Sequence, residues 1–256
     1  MGLDWSVTTW LAWCGLVLAS YLLGAVPFGL LVGFAKGVDV RQHGSKNIGT
    51  ANVGRTLGKK WGTLTFALDM LKGFLPTLFA GFWLEAINRP NTPPALSWAW
   101  MLVGVASVLG HMFPPYLKFR GGKGVATGFG VVLAIFPILS IPALLSICVW
   151  AITLKVSRYF GFSSCLAAIS LPIWIWPVVK IYAQFELFNT HRGQDVAWWL
   201  WPYITVAIVL GGLVVLRHKS NLVRMLNGTE HRVGDPRPGT PISTPTPSPS
   251  PAAKAG

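Results

Sequence analysis

Long apolar runs separated by short polar turns set the pattern of this chain. Runs long enough to span a bilayer fall at about 10–34, 61–84, 96–115, 160–180 and 197–216. A further apolar stretch, 124–154, is longer and carries Pro137 and Pro142 near its middle. Proline interrupts a helical hydrogen-bond ladder, so this stretch reads as one long kinked span or as two shorter ones. The first counting gives six spans and the second seven.

The cations choose between these countings. With the N-terminus outside and 124–154 split in two, all but four of the 21 Lys and Arg residues fall in inside loops or the C-terminal segment. The exceptions are Arg89, Lys180 and Arg192, which fall outside, and Lys72, which lies within a span. That asymmetry fits the positive-inside rule. A single span at 124–154 would instead place Lys155, Arg158 and the basic C-terminal segment outside. The pattern therefore predicts an all-α polytopic membrane protein with seven transmembrane helices, two of them short. Its N-terminus is expected outside and its C-terminus in the cytoplasm.

Composition agrees. Of 256 residues, 52% are hydrophobic and only 11% charged, against about 25% charged in a soluble domain. The net charge of +13 is mostly accounted for by topology, so nucleic acid is not needed to explain it. Cys14, Cys148 and Cys165 all lie in apolar segments without metal-ligand spacing and read as packed residues. No Lys or Arg precedes Lys36. A cleaved signal would have a basic n-region, so the first span is expected to stay. The chain reads as one membrane-embedded domain, residues 1–234. A disordered, cytoplasmic Pro/Ser/Thr-rich tail, residues 235–256, follows.

Within the spans, Asp69 and Lys72 lie three apart on one helical face. At that depth they read as a neutralising pair or as the lining of a polar cavity. Gly24, Pro27 and Gly29 permit kinking and close helix approach in the first span. His191 and Asp195, in an outside loop, read as solvated residues.

Three inside loops carry the candidate chemistry. The middle one runs from Gly110 to Thr127 and holds Lys118, Arg120 and Lys123 with no acid beside them. Gly121, Gly122 and Gly124 surround Lys123, and an apolar helix begins at Val125. Cations, glycine amides and a helix N-terminus together suit a phosphate. Simple membrane anchoring would not require Gly-Gly-Lys-Gly. The first loop, Gly44 to Gly58, is rich in Gly, Asn, Ser and Thr and includes Arg55. Amides, hydroxyls and a guanidinium fork suit phosphate or glycerol hydroxyls; a polar turn feeding a short interfacial helix is the plainer reading. It is not a Walker loop, because no Gly-Lys-Ser/Thr occurs in the chain. The third segment follows the last span and places His218 and Asn221 on one helical face.

Other chemistries are poorly matched. Acids are nearly absent from the inside face, so no Ser-His-Asp arrangement forms there. No His-x4-Asp signature of the thioester-dependent glycerol-phosphate acyltransferases occurs, nor a CDP-alcohol phosphotransferase metal motif. A carboxylate-poor site of cations and amides suggests anionic substrates, with no divalent metal and no cofactor.

Taken together, the three loops resemble the bacterial acyl-phosphate:glycerol-3-phosphate acyltransferases, the PlsY family. The matching residues are Gly44-Ser45, Asn47-Ile48-Gly49 and Asn52 through Gly58, then Gly110-His111, Phe113-Pro114, Phe119 and Gly121 through Thr127. Arg217-His218, Ser220-Asn221, Arg224 and Gly228-Thr229-Glu230 complete the match. It spans roughly residues 20 to 234. Two departures stand out. Lys46 occupies a position where glycine is common, and Thr50-Ala51 replaces Ala-Thr.

The resemblance implies transfer of a fatty acyl group from acyl phosphate to the 1-hydroxyl of sn-glycerol 3-phosphate. The products would be lysophosphatidate and phosphate, in phospholipid biosynthesis. It assigns Ser45, Arg55, Lys123, His218 and Asn221 to catalysis. It assigns Gly44, Asn47, Gly49, Thr50, Asn52, His111, Gly121, Gly122, Gly124, Thr127, Arg217, Ser220 and Glu230 to substrate binding. It implies a bacterial inner-membrane protein with its site on the cytoplasmic face, among membrane lipids. A partner phosphate acyltransferase supplying the donor would be compatible with this chemistry. His218 has a suitable ordinary pKa for a general base, but the family scheme gives the proton to the donor's own phosphate, leaving His218 to orient. The competing class is a small transporter of anions or phosphate esters. Against it, the chain shows no internal repeat, and its informative residues lie on one face.

Overall fold

The computed structural model describes residues 6–87, 92–184 and 196–235. Among these the secondary structure is entirely helical. The proposed tail beyond Asp235, and His191 with Asp195, lie outside the described residues.

Among the described residues six apolar segments are long enough to cross a bilayer, and one shorter apolar helix accompanies them. The helices are α1 (Val7–Ala25), α2 (Phe28–Phe34), α3 (Thr50–Leu57), α4 (Lys59–Trp83), α5 (Pro94–Met112), α6 (Val125–Ala134), α7 (Ser140–Ser157), α8 (Phe160–Gln184), α9 (Val196–Arg217) and α10 (Lys219–Leu226). The 124–154 stretch is thus two helices. The break follows Ile135, whose backbone leaves the helical region at φ −90° and ψ 69°. Ten residues of α6 rise only about 15 Å, half the hydrocarbon thickness.

Prolines mark the other irregularities, and side chains repair the backbone there. Pro27 separates α1 from α2, and Lys72 Nζ donates to the Val26 carbonyl at 2.8 Å. Pro76 lies inside α4 and cannot donate to the Lys72 carbonyl. Ser107 Oγ of α5 takes that carbonyl instead, at 2.8 Å. In hydrocarbon an unpaired carbonyl has no water to turn to, so such substitutions keep a kinked helix viable.

The bundle centre is α5, packed on α1, α4 and α9. Trp100, Met101, Val103 and Tyr203 are almost fully buried there, while Leu18, Phe79, Ile152 and Leu216 face outward. This outward-apolar surface is that of a protein solvated by lipid. α6 packs most extensively on α4. The approach is close because Gly73 faces the Thr127 carbonyl and Gly130 faces that of Met70.

Asp69 and Lys72 form the pair that their spacing suggested, with Nζ 2.7 Å from Oδ1 and both side chains buried. His111 Nδ1 lies 3.7 Å from the same oxygen. Removing one member would strand the other charge in a low dielectric. Asp69→Ala is expected to destabilise the protein by about 3–5 kcal/mol, read as a large drop in the detergent melting temperature. A melting temperature within a degree or two of the unaltered protein would show the pair to be dispensable.

Candidate active site

The first loop is folded around one side chain. Asn52, in the first turn of α3, is almost fully buried. Its Nδ2 donates to the carbonyls of Val40 (2.8 Å), Asn47 (2.8 Å) and His43 (3.1 Å). Its Oδ1 accepts from the Ser45 amide at 2.7 Å. Asn47 Oδ1 in turn accepts from the Gly49 amide at 2.9 Å, and Gly49 caps α3. Gly44, at φ 56°, sits so close to Asn52 Oδ1 that a Cβ would collide with it. Asn52 therefore spends its polar groups on the loop. Among the described residues no hydrogen bond holds the Ser45 hydroxyl, so it remains free to donate. Thr50 opens α3 beside it.

The middle loop is held from two sides. The Gly121 and Gly122 amides donate to the Met112 and His111 carbonyls, each at 3.1 Å. Arg217, ending α9, donates to the carbonyls of Gly122 (2.9 Å), Gly121 (3.0 Å) and Met112 (3.2 Å). Its guanidinium is thereby committed to shaping the glycine loop. The Gly122 backbone rests on the His111 ring, and His111 is itself buried beside Asp69. Gly124 adopts φ 79° at the start of α6, a left-handed conformation that suits glycine. The tight turn leaves Lys123 pointing toward α10.

α10 completes the site. Asn221 Oδ1 accepts from Lys123 Nζ, while its Nδ2 donates to Glu230 Oε1 at 2.6 Å. Arg224 Nε donates to Glu230 Oε2 at 2.7 Å. Arg55 Nη2 lies 3.6 Å from Glu230 Oε1, an ion pair without hydrogen-bond contact. The three loops thus converge on one buried carboxylate. Three cations, Arg55, Lys123 and Arg224, face that single negative charge, leaving an unbalanced positive field suited to a phosphate. Burial lowers the Arg55 pKa. Burial, opposed by the Glu230 charge, pushes Lys123 down to about 8. His218 is buried next to this group, and burial pushes it down to about 4. At neutral pH it is an uncharged imidazole. Its Nδ1–H then donates to the Val214 carbonyl at 2.8 Å, which leaves Nε2 as an acceptor.

Of the residues expected at the site, Arg55, Lys123, Asn221 and Glu230 form one connected network, with His218 buried beside it. Asn52 and Arg217 are brought nearby and bond to loop carbonyls, while His111 lies between Gly122 and the buried Asp69 of α4. Thr127 is buried in the α4–α6 contact against Gly73. Ser220 is exposed, and among the described residues no side-chain hydrogen bond joins it to the network. Two contributors are absent from that expectation. Arg224 is among the residues that carry the resemblance but has no site role there, though its position three residues after Asn221 would have given it one. Gly161 of α8 could not, because only the fold brings it to Asn221.

At Gly161 a Cβ would lie 2.9 Å from Asn221 Cβ and 3.0 Å from its Cγ. Alanine favours a helix over glycine by about 1 kcal/mol, yet here it would push α10 away. Gly161→Ala is expected to keep the fold and to lower kcat about 10- to 100-fold, the cost of shifting a candidate site residue by less than about 1 Å. Steady-state kinetics on the folded variant check this; an unchanged kcat would mean that Asn221 is not positioned through α8.

The family model described as glycerol-3-phosphate acyltransferase matches residues 14–228. A glycerol-3-phosphate acyltransferase of Aquifex aeolicus is 41% identical over 219 residues, covering 85% of this chain and 97% of the relative. One from Thermosynechococcus vestitus is 38% identical, covering 86% and 94%. Among solved structures, the crystal structure of PlsY (YgiH) in its glycerol 3-phosphate form matches with TM-score 0.70 and 39% identity, over 87% of this chain and 96% of that one. Its lysophosphatidic acid form matches with TM-score 0.69.

Proposed function

Because the chain belongs to the glycerol-3-phosphate acyltransferase family, we propose that it transfers a fatty acyl group from acyl phosphate to the 1-hydroxyl of sn-glycerol 3-phosphate in phospholipid biosynthesis. The observation that carries this reading is the convergence of Arg55, Lys123 and Arg224 on Glu230, with two positive charges in excess.

The donor is already activated, since its leaving group is phosphate. The protein must then bring two mutually repelling phosphates together, aim the hydroxyl, and stabilise developing oxyanion charge. Arg55 and Lys123 offset the repulsion, and Arg55 can bind a phosphate bidentately. The Ser45 hydroxyl donates to a phosphate or the oxyanion. The glycerol oxygen attacks the acyl carbonyl carbon, the bond from that carbon to the phosphate oxygen breaks, and the departing phosphate takes the hydroxyl proton. A His218 held near pKa 4 is a weak base at neutral pH. Its Nε2 acceptor suits orienting the glycerol hydroxyl, which supports the substrate-assisted route.

The cation distribution supports seven crossings with the N-terminus outside, which sets all three loops on the cytoplasmic face of a bacterial inner membrane. A phosphate acyltransferase delivering the donor would meet the protein on that face. Residues 1–234 form the catalytic domain, with the tail as a separate appendage.

The test is purified protein, chelator and radiolabelled glycerol 3-phosphate, given palmitoyl phosphate, palmitoyl-CoA or palmitoyl-acyl carrier protein separately. Lysophosphatidate from the acyl phosphate alone is expected. Product only from a thioester would overturn the donor assignment. No product from any donor in folded protein would favour transport, measured next as uptake into vesicles.

A further inference from the structure

A second basic cavity lies beside the site but outside its network. It has a volume of about 470 Å³, and its lining includes Arg41, Lys46, Asn47, Tyr116, Lys118 and Arg120. It shares Asn47 and Gly121 with the first and glycine loops of the site, but none of the cations that line it belongs to the Lys123–Asn221–Glu230 group. Asp39 holds the Arg41 guanidinium through a bidentate contact of 3.0 and 2.8 Å. Among the described residues Lys46, Lys118 and Arg120 have no acidic partner.

The backbone gives the second observation. Lys46 and Lys118 both adopt left-handed conformations, at φ 57° and φ 52°. Such positions favour glycine, and a long side chain there is strained. Strain of this kind persists where surrounding structure enforces it, often at ligand sites. Anchoring to an anionic membrane needs neither a cavity nor such a backbone, since cations on ordinary helix ends serve it equally well. The cavity volume falls within the range of small-ligand sites, about 300–1,000 Å³. Tyr116 and Phe119 are exposed beside it, as aromatic residues are at headgroup depth.

We propose that this cavity is a second phosphate site, distinct from the Lys123–Glu230 network, that takes a phosphate monoester. The ligand is either a membrane-held lipid phosphate or a free phosphate. A dianion in the cavity would meet Lys46, Lys118 and Arg120 with no acid competing for them.

The test is calorimetric titration of inorganic phosphate into the full chain, in neutral detergent at low ionic strength. The paired substitution Lys46→Gly with Lys118→Gly is expected to bind one phosphate fewer than the unaltered chain. Its melting temperature should be equal or higher, because both positions relax. Arg55→Gln should lose the other phosphate and keep this one, which separates failure here from failure of the proposed function. If the glycine pair melts lower, Lys118→Gln with Arg120→Gln decides by the same count. Repeating the titration in phosphatidylcholine nanodiscs, with or without phosphatidate, identifies the source. Phosphatidate that suppresses the Lys46-dependent phosphate marks a lipid headgroup, and no suppression marks free phosphate. Equal phosphate counts in the unaltered chain and a folded neutralised variant would overturn the proposal.

Discussion

Lys123→Ala is expected to lower kcat/KM about a thousandfold or more, the upper end for removal of a group that stabilises transition-state charge. Lys123 is the only cation carried by the glycine turn itself, and it reaches α10 through Asn221 Oδ1. On the proposed mechanism, truncating it removes charge where two phosphates meet; it also leaves the Asn221 carbonyl oxygen without its Lys123 donor. His218→Ala should also lose much activity, but less, because on the proposed mechanism a neutral imidazole orients the hydroxyl without carrying charge. An inactive His218→Ala enzyme rescued by free imidazole would sink the substrate-assisted route.

The same lysine sets a pH limit. Burial pushes its pKa down to about 8, so it is mostly charged at pH 7 and mostly neutral at pH 9. Phosphate affinity in the free enzyme should therefore fall as pH rises through about 8. The profile of kcat/KM reports ionisations of the free enzyme, so an alkaline limb near pH 8 is expected. Lys123→Arg should abolish that limb even if overall activity is lower, because arginine stays charged. A limb that survives unchanged in Lys123→Arg would assign it to another group.

The second large effect is expected at Glu230. A carboxylate repels phosphate, yet Glu230 sits at the centre of the site. It accepts from Asn221 and Arg224 and faces Arg55. It therefore gathers the cations, to which the proposed mechanism gives phosphate binding. Glu230→Ala would leave three like charges in a partly dry pocket, and the Asn221 amide unpaired. The expected result is a loss of about 3–5 kcal/mol in stability, as for one partner removed from a buried ion cluster, together with a loss of about 100-fold or more in kcat. Glu230→Gln keeps an acceptor for Asn221 and should recover part of the kcat loss. Equal kcat losses in the two variants would mean that only the charge matters, and full activity in Glu230→Ala would exclude the gathering role.

The sequence carried the spans well because lipid imposes a simple rule. An apolar run about 30 Å long must be a helix with its backbone groups paired internally. Runs near 61–84, 96–115, 160–180 and 197–216 accordingly appear as α4, α5, α8 and α9. The proline signals were also legible, at Pro27 and in the break of 124–154. Their repair was not legible, because Ser107 reaches Lys72 from a different helix. Gly-Gly-Lys-Gly, Arg55 and the His218–Asn221 spacing pointed to phosphate from residue chemistry alone. Their separate roles depend on which neighbours consume their hydrogen bonds. Asn52, His111 and Arg217 have the same polar chemistry as substrate ligands, yet their partners are loop carbonyls and a buried acid.

By itself, then, the sequence determined the class of solvent around the helices, the positions of most spans, and a cationic, amide-rich site on one face. These follow from local composition and period, which need no knowledge of what lies across the bundle. Only the tertiary structure decided that Glu230 faces Arg55, that Gly161 makes room for Asn221, and that Lys46 and Lys118 line one cavity. Each of these joins residues far apart in the chain, and no local rule of charge or spacing encodes such a meeting.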